Sequence, residues 1–258
     1  MTWLTTIILG IVEGITEFLP ISSTGHLILS ATVLQIQESD FLSSFMIAIQ
    51  LGAICSVVVL YWQKIWSKPR EIFIRLVLAF IPTAIIGLTL YGVVKKYLLN
   101  NQAVVLWALL IGGIILIIFE LLYKEKETAT AEITQVSYKN SFLIGVFQSL
   151  AIVPGVSRSA ATVIGGLCLG LKRKTIIEFS FLLAVPTMLA ATGLDLLKTG
   201  FTFSGTEWGM IGLGFIVSFL FAILAIKFLL NFIQKHTFIW FGVYRVVIAI
   251  LFWLLIFN

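Results

Sequence analysis

Four long, largely apolar runs limit what this chain of 258 residues can fold into. They cover Phe41–Trp62, Leu76–Val94, Val104–Leu122 and Phe238–Phe257. About 20 apolar residues in a helix span the hydrocarbon core of a bilayer. A helix also satisfies its own backbone polar groups, which water cannot do inside that core. The sequence therefore predicts an integral membrane protein built from helices.

The composition supports this class and argues against others. The chain is 60% hydrophobic and 11% charged, whereas soluble domains are about 45–50% apolar and about 25% charged. The strands of an outer-membrane barrel would alternate in polarity over about ten residues, and this sequence shows no such alternation. In a membrane chain, the net charge of +5 indicates basic cytoplasmic loops rather than nucleic-acid binding. Cys55 and Cys168 have no Cys or His nearby in sequence, so we interpret them as packing residues.

The second half of the chain repeats the first. "GIVEGITEFLPISSTGH" (10–26) aligns with "GVFQSLAIVPGVSRSAAT" (145–162) when one gap is allowed, which places Glu13 opposite Gln148. Further on, "SFMIAI" matches "SFLLAV" in the same order. We divide the chain into a first repeat, a polar cytoplasmic linker and a second repeat, covering residues 1–123, 124–140 and 141–258.

Each half begins with a pair of short apolar segments; Trp3–Leu19 is nearly long enough to cross a membrane, and the other three are too short. Three of them have twelve residues: Gly25–Ile36, Phe142–Val153 and Ala160–Leu171. Twelve helical residues reach only about 18 Å, so we expect a re-entrant pair at about 3–36 and another at about 142–171. Three transmembrane helices follow each pair. The predicted fold class is an all-α polytopic membrane protein with an inverted-topology repeat, because three crossings per half turn the second half upside down.

The distribution of basic residues predicts the orientation. Three Lys and Arg residues fall on one side of this topology: Lys95, Lys96 and Lys198. Twelve fall on the other side: Lys64, Lys68, Arg70, Arg75, Lys124, Lys126, Lys139, Lys172, Arg173, Lys174, Lys227 and Lys235. Cytoplasmic loops carry the excess of positive charge. We therefore expect both termini to face outward, with Arg158 and Arg245 inside the membrane.

The first polar turn carries two carboxylates. Glu13 and Glu17 are four residues apart, so they share one face of a helix. A divalent cation would relieve their mutual repulsion; the alternative is that one of them is protonated.

Hydroxyl groups and an imidazole follow in "ISSTGH". Ser22, Ser23 or Thr24 is expected to cap the next helix. His26 lies three residues after Ser23 on the same side of that helix, and a Ser beside a His is the minimum set for nucleophilic or general-base chemistry. The alternative is a histidine that is simply hydrogen-bonded.

The second polar turn, "PGVSRSAAT", has the features of a phosphate site. Arg158 stands between Ser157 and Ser159 at a predicted helix start, where free N–H groups and a guanidinium both favour an anion. Thr162 could donate to the same anion or bond back to its own helix. Together the two turns suggest a phosphoryl-transfer site; the alternative is a structural ion pair between the repeats.

These two motifs, "EGITEFLPISSTGH" and "PGVSRSAAT", resemble those of the bacterial undecaprenyl-diphosphate phosphatase family, the bacitracin-resistance proteins. The resemblance covers essentially the whole chain. It implies hydrolysis of the lipid-carrier diphosphate to the monophosphate, with recycling of the carrier for cell-wall synthesis. It also implies a divalent cation (Mg²⁺ or Ca²⁺), a bacterial plasma-membrane location and a site that opens outward. The implied partners are the polyprenyl diphosphate and membrane lipids, with no nucleic acid, and a homodimer is left open.

The resemblance also implies roles for individual residues. Ser23 would be the nucleophile or would orient one, His26 would be its base or the leaving group's acid, and Glu17 would be catalytic. Glu13 and Glu17 would hold the cation. The residues implied to bind the substrate phosphates are Arg158, Ser157, Ser159, Thr162 and Thr24. Whether a phosphoserine forms or water attacks directly stays open.

Two other functions fit the pattern less specifically. Inverted repeats with broken helices are typical of secondary transporters, so a transporter or flippase of an anionic lipid is the main alternative. A structural or sensory bundle with a buried ion pair is the other. Arg245 has no predicted partner, and we expect a structural role for it.

Overall fold

The computed structural model describes residues 1–98, 101–199 and 203–257. Within these ranges the chain forms ten α-helices: α1 (Trp3–Thr16), α2 (Ser23–Val33), α3 (Asp40–Ser67), α4 (Pro69–Val93), α5 (Gln102–Leu122), α6 (Tyr138–Ser149), α7 (Arg158–Cys168), α8 (Arg173–Thr199), α9 (Gly205–Phe232) and α10 (Ile239–Phe257). Six of them, α3, α4, α5, α8, α9 and α10, are long and apolar enough to cross a membrane. The predicted helical, multi-pass membrane protein is therefore confirmed.

Small polar side chains set the starts of most helices. The first free N–H groups of a helix are best satisfied by Ser, Thr, Asn or Asp at the preceding position. Seven helices use such a cap: Thr2, Ser22, Ser39, Asn101, Ser137, Ser157 and Ser204. Two of these caps, Ser22 and Ser157, start the short helices α2 and α7, which follow the polar turns.

The short helices differ at their ends from the predicted segments. α2 begins at Ser23 and stops at Val33, before the predicted end, and Gln35 then takes a left-handed conformation (φ 52°). α7 begins at Arg158, before the start of the predicted apolar segment (160–171), because Ser157 caps it. The α-helical part of α6 ends at Ser149 and a 3₁₀ turn continues to Ile152. Helix ends depend on caps and turn geometry more than on apolar composition.

The segment predicted as a polar linker (124–140) packs against the helices. Ile133 and Val136 within it are buried. Arg75 of α4 donates from Nε to the Val136 carbonyl at 2.6 Å. α6 then begins at Tyr138, before the predicted end of the linker.

Contacts between the two halves place the polar turns side by side. α1 packs on α9 and α6 packs on α4, while α3 contacts α8 and α5 contacts α10. The α6–α4 approach requires Gly145, because a Cβ there would lie 2.0 Å from the Ala79 carbonyl oxygen. The side chains of Lys95, Lys96 and Lys198, which the sequence placed on the outer side, lie outside the described part of the chain.

Candidate active site

The first polar turn connects α1 to α2 and is anchored by Phe18. This side chain is fully buried and meets Phe181 edge to face, with ring centroids 5.1 Å apart. Ser22 ends the turn as the cap of α2, and its hydroxyl accepts from the Gly25 N–H at 3.4 Å. The expectation that one of three hydroxyl residues caps this helix is confirmed, with Ser22 in that role.

The second polar turn connects α6 to α7. Gly155 has a φ of 92°, and a Cβ there would lie 2.6 Å from the Val105 carbonyl oxygen, so only glycine fits. The Ser157 hydroxyl accepts from the Ala160 N–H at 3.1 Å. Arg158 is thereby the first residue of α7, which is the helix start that its neighbours predicted.

The two turns touch each other. Arg158 Nη2 lies 3.1 Å from Glu17 Oε1, and both side chains are largely shielded, with 12% and 3% of their surface exposed. A second bond runs from the Ser159 hydroxyl to the Phe18 carbonyl at 2.9 Å. Arg158 Nη1 donates to the Ser180 carbonyl at 2.9 Å. The guanidinium is thus held from two sides, and its Nε has no acceptor among the described residues.

Glu17 links the arginine to the candidate nucleophile. Its second oxygen, Oε2, accepts from the Ser23 hydroxyl at 2.5 Å. A single carboxylate therefore contacts both the predicted nucleophile and the predicted phosphate-binding residue. The carboxylate is also correctly placed to take the proton of Ser23.

His26 is placed differently from the sequence-based expectation. Its Nδ1 lies 2.7 Å from the Ser22 carbonyl oxygen, and its Nε2 lies 3.0 Å from the Tyr244 hydroxyl. The expected hydroxyl–imidazole pair of Ser23 and His26 is replaced by the Ser23–Glu17 bond. Spacing along α2 placed Ser23 and His26 on one side of the helix, but it did not reveal their partners from other helices.

Arg245 ties both turns to the long helices. Its side chain is buried and donates to four carbonyls, those of Ala108 (2.9 Å), Leu109 (3.3 Å), Pro20 (3.4 Å) and Gly155 (3.0 Å). Pro20 belongs to the first turn and Gly155 to the second. These four contacts agree with the structural role expected for Arg245.

A cavity of about 250 Å³ opens beside the ion pair. It is lined from the first turn by Glu17, Ser22, Ser23 and Thr24, and from the second by residues that run from Pro154 to Arg158. Five of the predicted site residues thus face one space: Glu17, Ser23, Thr24, Ser157 and Arg158. Glu13, His26, Ser159 and Thr162 are not among the lining residues.

Two residues that were expected to bind phosphate have internal partners instead. Ser159 donates to the first turn, as described above. The Thr162 hydroxyl lies 3.0 Å from the carbonyl oxygens of Arg158 and Ser159 and 2.6 Å from the Ser180 hydroxyl. For Thr162 this is the back-bonding alternative noted from the sequence. Both residues support the turn that carries Arg158.

Three further polar residues line the cavity, and none of them was among the predicted site residues: Thr83, Gln148 and Thr187. Gln148 of α6 is buried, and its Nε2 donates to the hydroxyls of Thr83 (2.9 Å) and Thr187 (3.3 Å). Each threonine directly follows a proline within a long helix, α4 or α8. The sequence did contain a sign that these residues belong to the site: Gln148 aligns with Glu13 in the repeat, and a Pro-Thr pair occurs in both α4 and α8.

Glu13 lies one turn before Glu17 and is fully buried. Neither of its carboxylate oxygens has a hydrogen-bond partner within the described ranges. No group of three or more His, Cys, Asp or Glu side chains in those ranges could hold a metal ion. Mg²⁺ is nevertheless commonly held by one or two carboxylates together with substrate phosphates; the pair has the donor type for such a cation, and of the two residues Glu17 lines the cavity.

These contacts suit chemistry at an anionic phosphorus centre. The Arg158 guanidinium and the Ser23 hydroxyl, bridged by the Glu17 carboxylate, line the same cavity. Positioning and charge neutralisation supply most of the catalysis in phosphoryl transfer.

Comparison with known proteins gives a consistent result. A family model described as "Bacitracin resistance protein BacA" matches residues 6–251. A relative from Aquifex aeolicus, named undecaprenyl-diphosphatase, is 50% identical over 252 residues, which is 98% of each chain. Relatives with the same name from a Sulfurihydrogenibium species and from Wolinella succinogenes are 51% and 48% identical. Those matches cover 98% and 95% of this chain and 99% and 95% of the relatives.

Proposed function

The chain belongs to the bacitracin resistance protein BacA family, and we propose on that basis that it is a membrane enzyme that hydrolyses undecaprenyl diphosphate. The products are undecaprenyl phosphate and inorganic phosphate, so the reaction returns the lipid carrier to cell-wall synthesis. The observation that carries this proposal within the molecule is the contact of both polar turns through Glu17, which reaches Arg158 and Ser23 at once.

Arg158 and Ser157 are proposed to hold the terminal phosphate. Arg158 lines the cavity, and its buried Nε has no acceptor among the described residues. A planar guanidinium matches the oxygens of a phosphate. Thr24, on the facing turn, lies within reach of the same cavity. Ser159 and Thr162 then act by holding this turn in place.

Ser23 is proposed to attack, or to orient the water that attacks, the terminal phosphorus. The bond that breaks joins this phosphorus to the bridging oxygen, and undecaprenyl phosphate leaves with that oxygen. Glu17 accepts the proton of Ser23 through the bond that already joins them. If a phosphoserine forms, water then attacks its phosphorus, inorganic phosphate is released and a proton returns to the serine oxygen. With direct attack, the proton of the water passes through the Ser23 hydroxyl to Glu17, and inorganic phosphate is released in one step.

Glu13 and Glu17 are the residues proposed to hold a divalent cation, Mg²⁺ or Ca²⁺. When bound, the cation would neutralise charge on the carboxylates and on the diphosphate oxygens. The support is the pair of buried Glu13 oxygens that have no donor among the described residues. A proton on Glu13 would also reduce the charge on this carboxylate. The Glu13→Gln variant distinguishes a bound cation from a bound proton.

The finer architecture is also a proposal. The two halves are inverted repeats, with α1–α2 and α6–α7 as re-entrant pairs. The packing between the halves supports this. In the first half, the short helix α1 packs on α9 of the second half; in the second half, the short helix α6 packs on α4 of the first half. The two contacts are equivalent, because α4 and α9 are each the second long helix of their half. From the distribution of Lys and Arg, both termini face outward and the cavity opens to the outer side of the plasma membrane. Labelling of single cysteines placed in the loops, in a background that lacks Cys55 and Cys168, would test this topology.

The activity is tested with the purified protein in detergent and undecaprenyl diphosphate as substrate. We expect release of inorganic phosphate that requires Mg²⁺ or Ca²⁺ and stops with a chelator. The Glu17→Gln variant should lose most of the rate, whereas Glu127→Gln, which changes an exposed loop carboxylate, should keep it. A folded wild-type protein that releases no phosphate at saturating cation would overturn the proposal.

The transporter alternative is not favoured, because the relatives that match nearly the whole chain are named as diphosphatases. Phosphate release in detergent, where there is no second compartment, would agree with that choice.

A further inference from the structure

Two neighbouring residues of α10 reach the first polar turn. Arg245 contacts its Pro20 carbonyl, as described above. Tyr244 contacts the other end of the same turn, through His26. The two rings stack almost parallel, with centroids 5.6 Å apart and an interplanar angle of 7°. The Tyr244 hydroxyl lies 3.0 Å from His26 Nε2, although the residues are 218 positions apart in sequence.

The partners of His26 fix its tautomer. A carbonyl oxygen can only accept, so the 2.7 Å contact with the Ser22 carbonyl requires a proton on Nδ1. In the neutral ring, Nε2 then carries the lone pair. The Tyr244 hydroxyl donates to that lone pair. Both nitrogens of His26 are therefore engaged, and neither is directed at Ser23.

The residue that His26 holds has an unusual backbone. Ser22 has a φ of 73°, in the left-handed region that residues other than glycine seldom adopt. Such a conformation persists only where the surroundings impose it. The Ser22 carbonyl accepts from both the ring Nδ1 and the backbone N–H of His26, at 2.7 and 3.2 Å. The imidazole therefore adds a second hydrogen bond to the peptide group that joins Ser22 to Ser23.

From this geometry we propose that Tyr244 is a positioning residue for catalysis, which acts through a neutral His26 on the Ser22–Ser23 peptide. Through this chain of hydrogen bonds, Tyr244 keeps the Ser23 hydroxyl in contact with Glu17. His26 serves in this chain as a hydrogen-bond relay, and the proton of Ser23 goes to Glu17. The inference rests on the proposed phosphatase function and assigns the residues that prepare its nucleophile.

Three substitutions of His26 distinguish a role as a hydrogen-bond relay from a role as a general base. Asn places an N–H donor where Nδ1 lies, Gln places its amide near Nε2, and Ala removes both groups. A relay predicts that His26→Asn keeps kcat within about tenfold of wild type, while His26→Gln and His26→Ala lose about a hundredfold or more. A general base predicts equally low rates in all three variants, which would overturn the proposal.

Tyr244→Phe tests the other end of the relay. Loss of one hydrogen bond should lower kcat by roughly fivefold to tenfold, with KM little changed. The same change in the His26→Asn background should have little further effect, because Asn has no Nε2 for the hydroxyl to contact. Tyr61→Phe is the matched control, since the buried Tyr61 hydroxyl on α3 has no hydrogen-bond partner in the described part of the chain. Equal rates for Tyr244→Phe and wild type would count against the relay.

A measurement independent of activity reads the tautomer directly. The chain has two histidines, so ¹⁵N ring labelling gives two spin systems, and His236→Asn assigns them. We expect His26 to carry its proton on Nδ1, and we expect its Nε2 resonance to shift in Tyr244→Phe. A proton on Nε2 alone would overturn the proposal. If the wild type released no phosphate, the phosphatase function would fail, while the ring signals would still report on this contact.

Discussion

Glu17 and Arg158, which are 141 residues apart in sequence, form a buried ion pair of 3.1 Å at the meeting point of the two polar turns. Each partner also makes a second hydrogen bond. The other oxygen of Glu17 binds Ser23, and the other terminal nitrogen of Arg158 binds the Ser180 carbonyl. A purely structural ion pair would not need an adjacent hydroxyl, a free guanidinium N–H and a cavity beside them. The combination favours the catalytic interpretation over the structural one.

Arg158→Lys should lower kcat/KM for undecaprenyl diphosphate by about a hundredfold, mainly through a higher KM. A lysine ammonium cannot reach Glu17, the Ser180 carbonyl and a phosphate in the planar arrangement of a guanidinium. Steady-state phosphate release measures this effect. Arg70→Lys, at an exposed position, is the control and should behave as wild type. An Arg158→Lys enzyme with unchanged kcat/KM would show that the guanidinium does not bind the substrate.

Ser23→Ala should reduce kcat by about a thousandfold, because it removes the hydroxyl that contacts Glu17. Ser30→Ala changes a hydroxyl later in the same helix and should be neutral. Rapid acid quench followed by mass spectrometry of the peptide that contains Ser23 would detect a phosphoserine in the wild type. If the alanine variant kept a rate near wild type, the serine would have no part in the reaction.

The sequence predicted the features that depend on local composition. Long apolar runs indicated the membrane helices, and Pro, Gly and Ser indicated the turns where α2 and α7 start. The repeat suggested that the two polar turns form one site, and the cost of unpaired charge in lipid suggested, as the alternative, an ion pair between the repeats.

Features that depend on distant contacts were not predictable in the same way. Helical spacing placed His26 beside Ser23, but its ring contacts the Ser22 carbonyl and Tyr244 of α10 instead. Ser159 follows Arg158 directly and Thr162 lies one helical turn later, yet both hydroxyls contact protein partners. Gln148 could be aligned with Glu13, but its threonine partners come from two other helices.

Glu13→Gln separates a bound cation from a bound proton at the carboxylate pair. If Glu13 helps to hold the cation, the apparent affinity for Mg²⁺ or Ca²⁺ should fall by about tenfold or more, while KM for the lipid at saturating cation changes little. Titration of phosphate release with the cation, together with calorimetric binding of the cation alone, measures this. Glu127→Gln should leave both titrations unchanged. Because Gln mimics a protonated glutamate, an unchanged cation affinity in Glu13→Gln would favour the proton instead.

Gly112→Ala tests whether Arg245 holds the two turns together. A Cβ at residue 112 would lie 2.2 Å from Arg245 Nη2 and 2.8 Å from its Cζ, so the guanidinium must move away from the Pro20 and Gly155 carbonyls. Loss of these charge-assisted bonds should cost about 2–4 kcal/mol of stability, which outweighs the gain of about 1 kcal/mol from replacing a helical glycine. We expect a lower Tm in detergent and a lower kcat. Gly87→Ala on α4, where a Cβ meets no atom within 4 Å, should keep or slightly raise Tm, and equal behaviour of the two variants would show that the turns do not depend on Arg245.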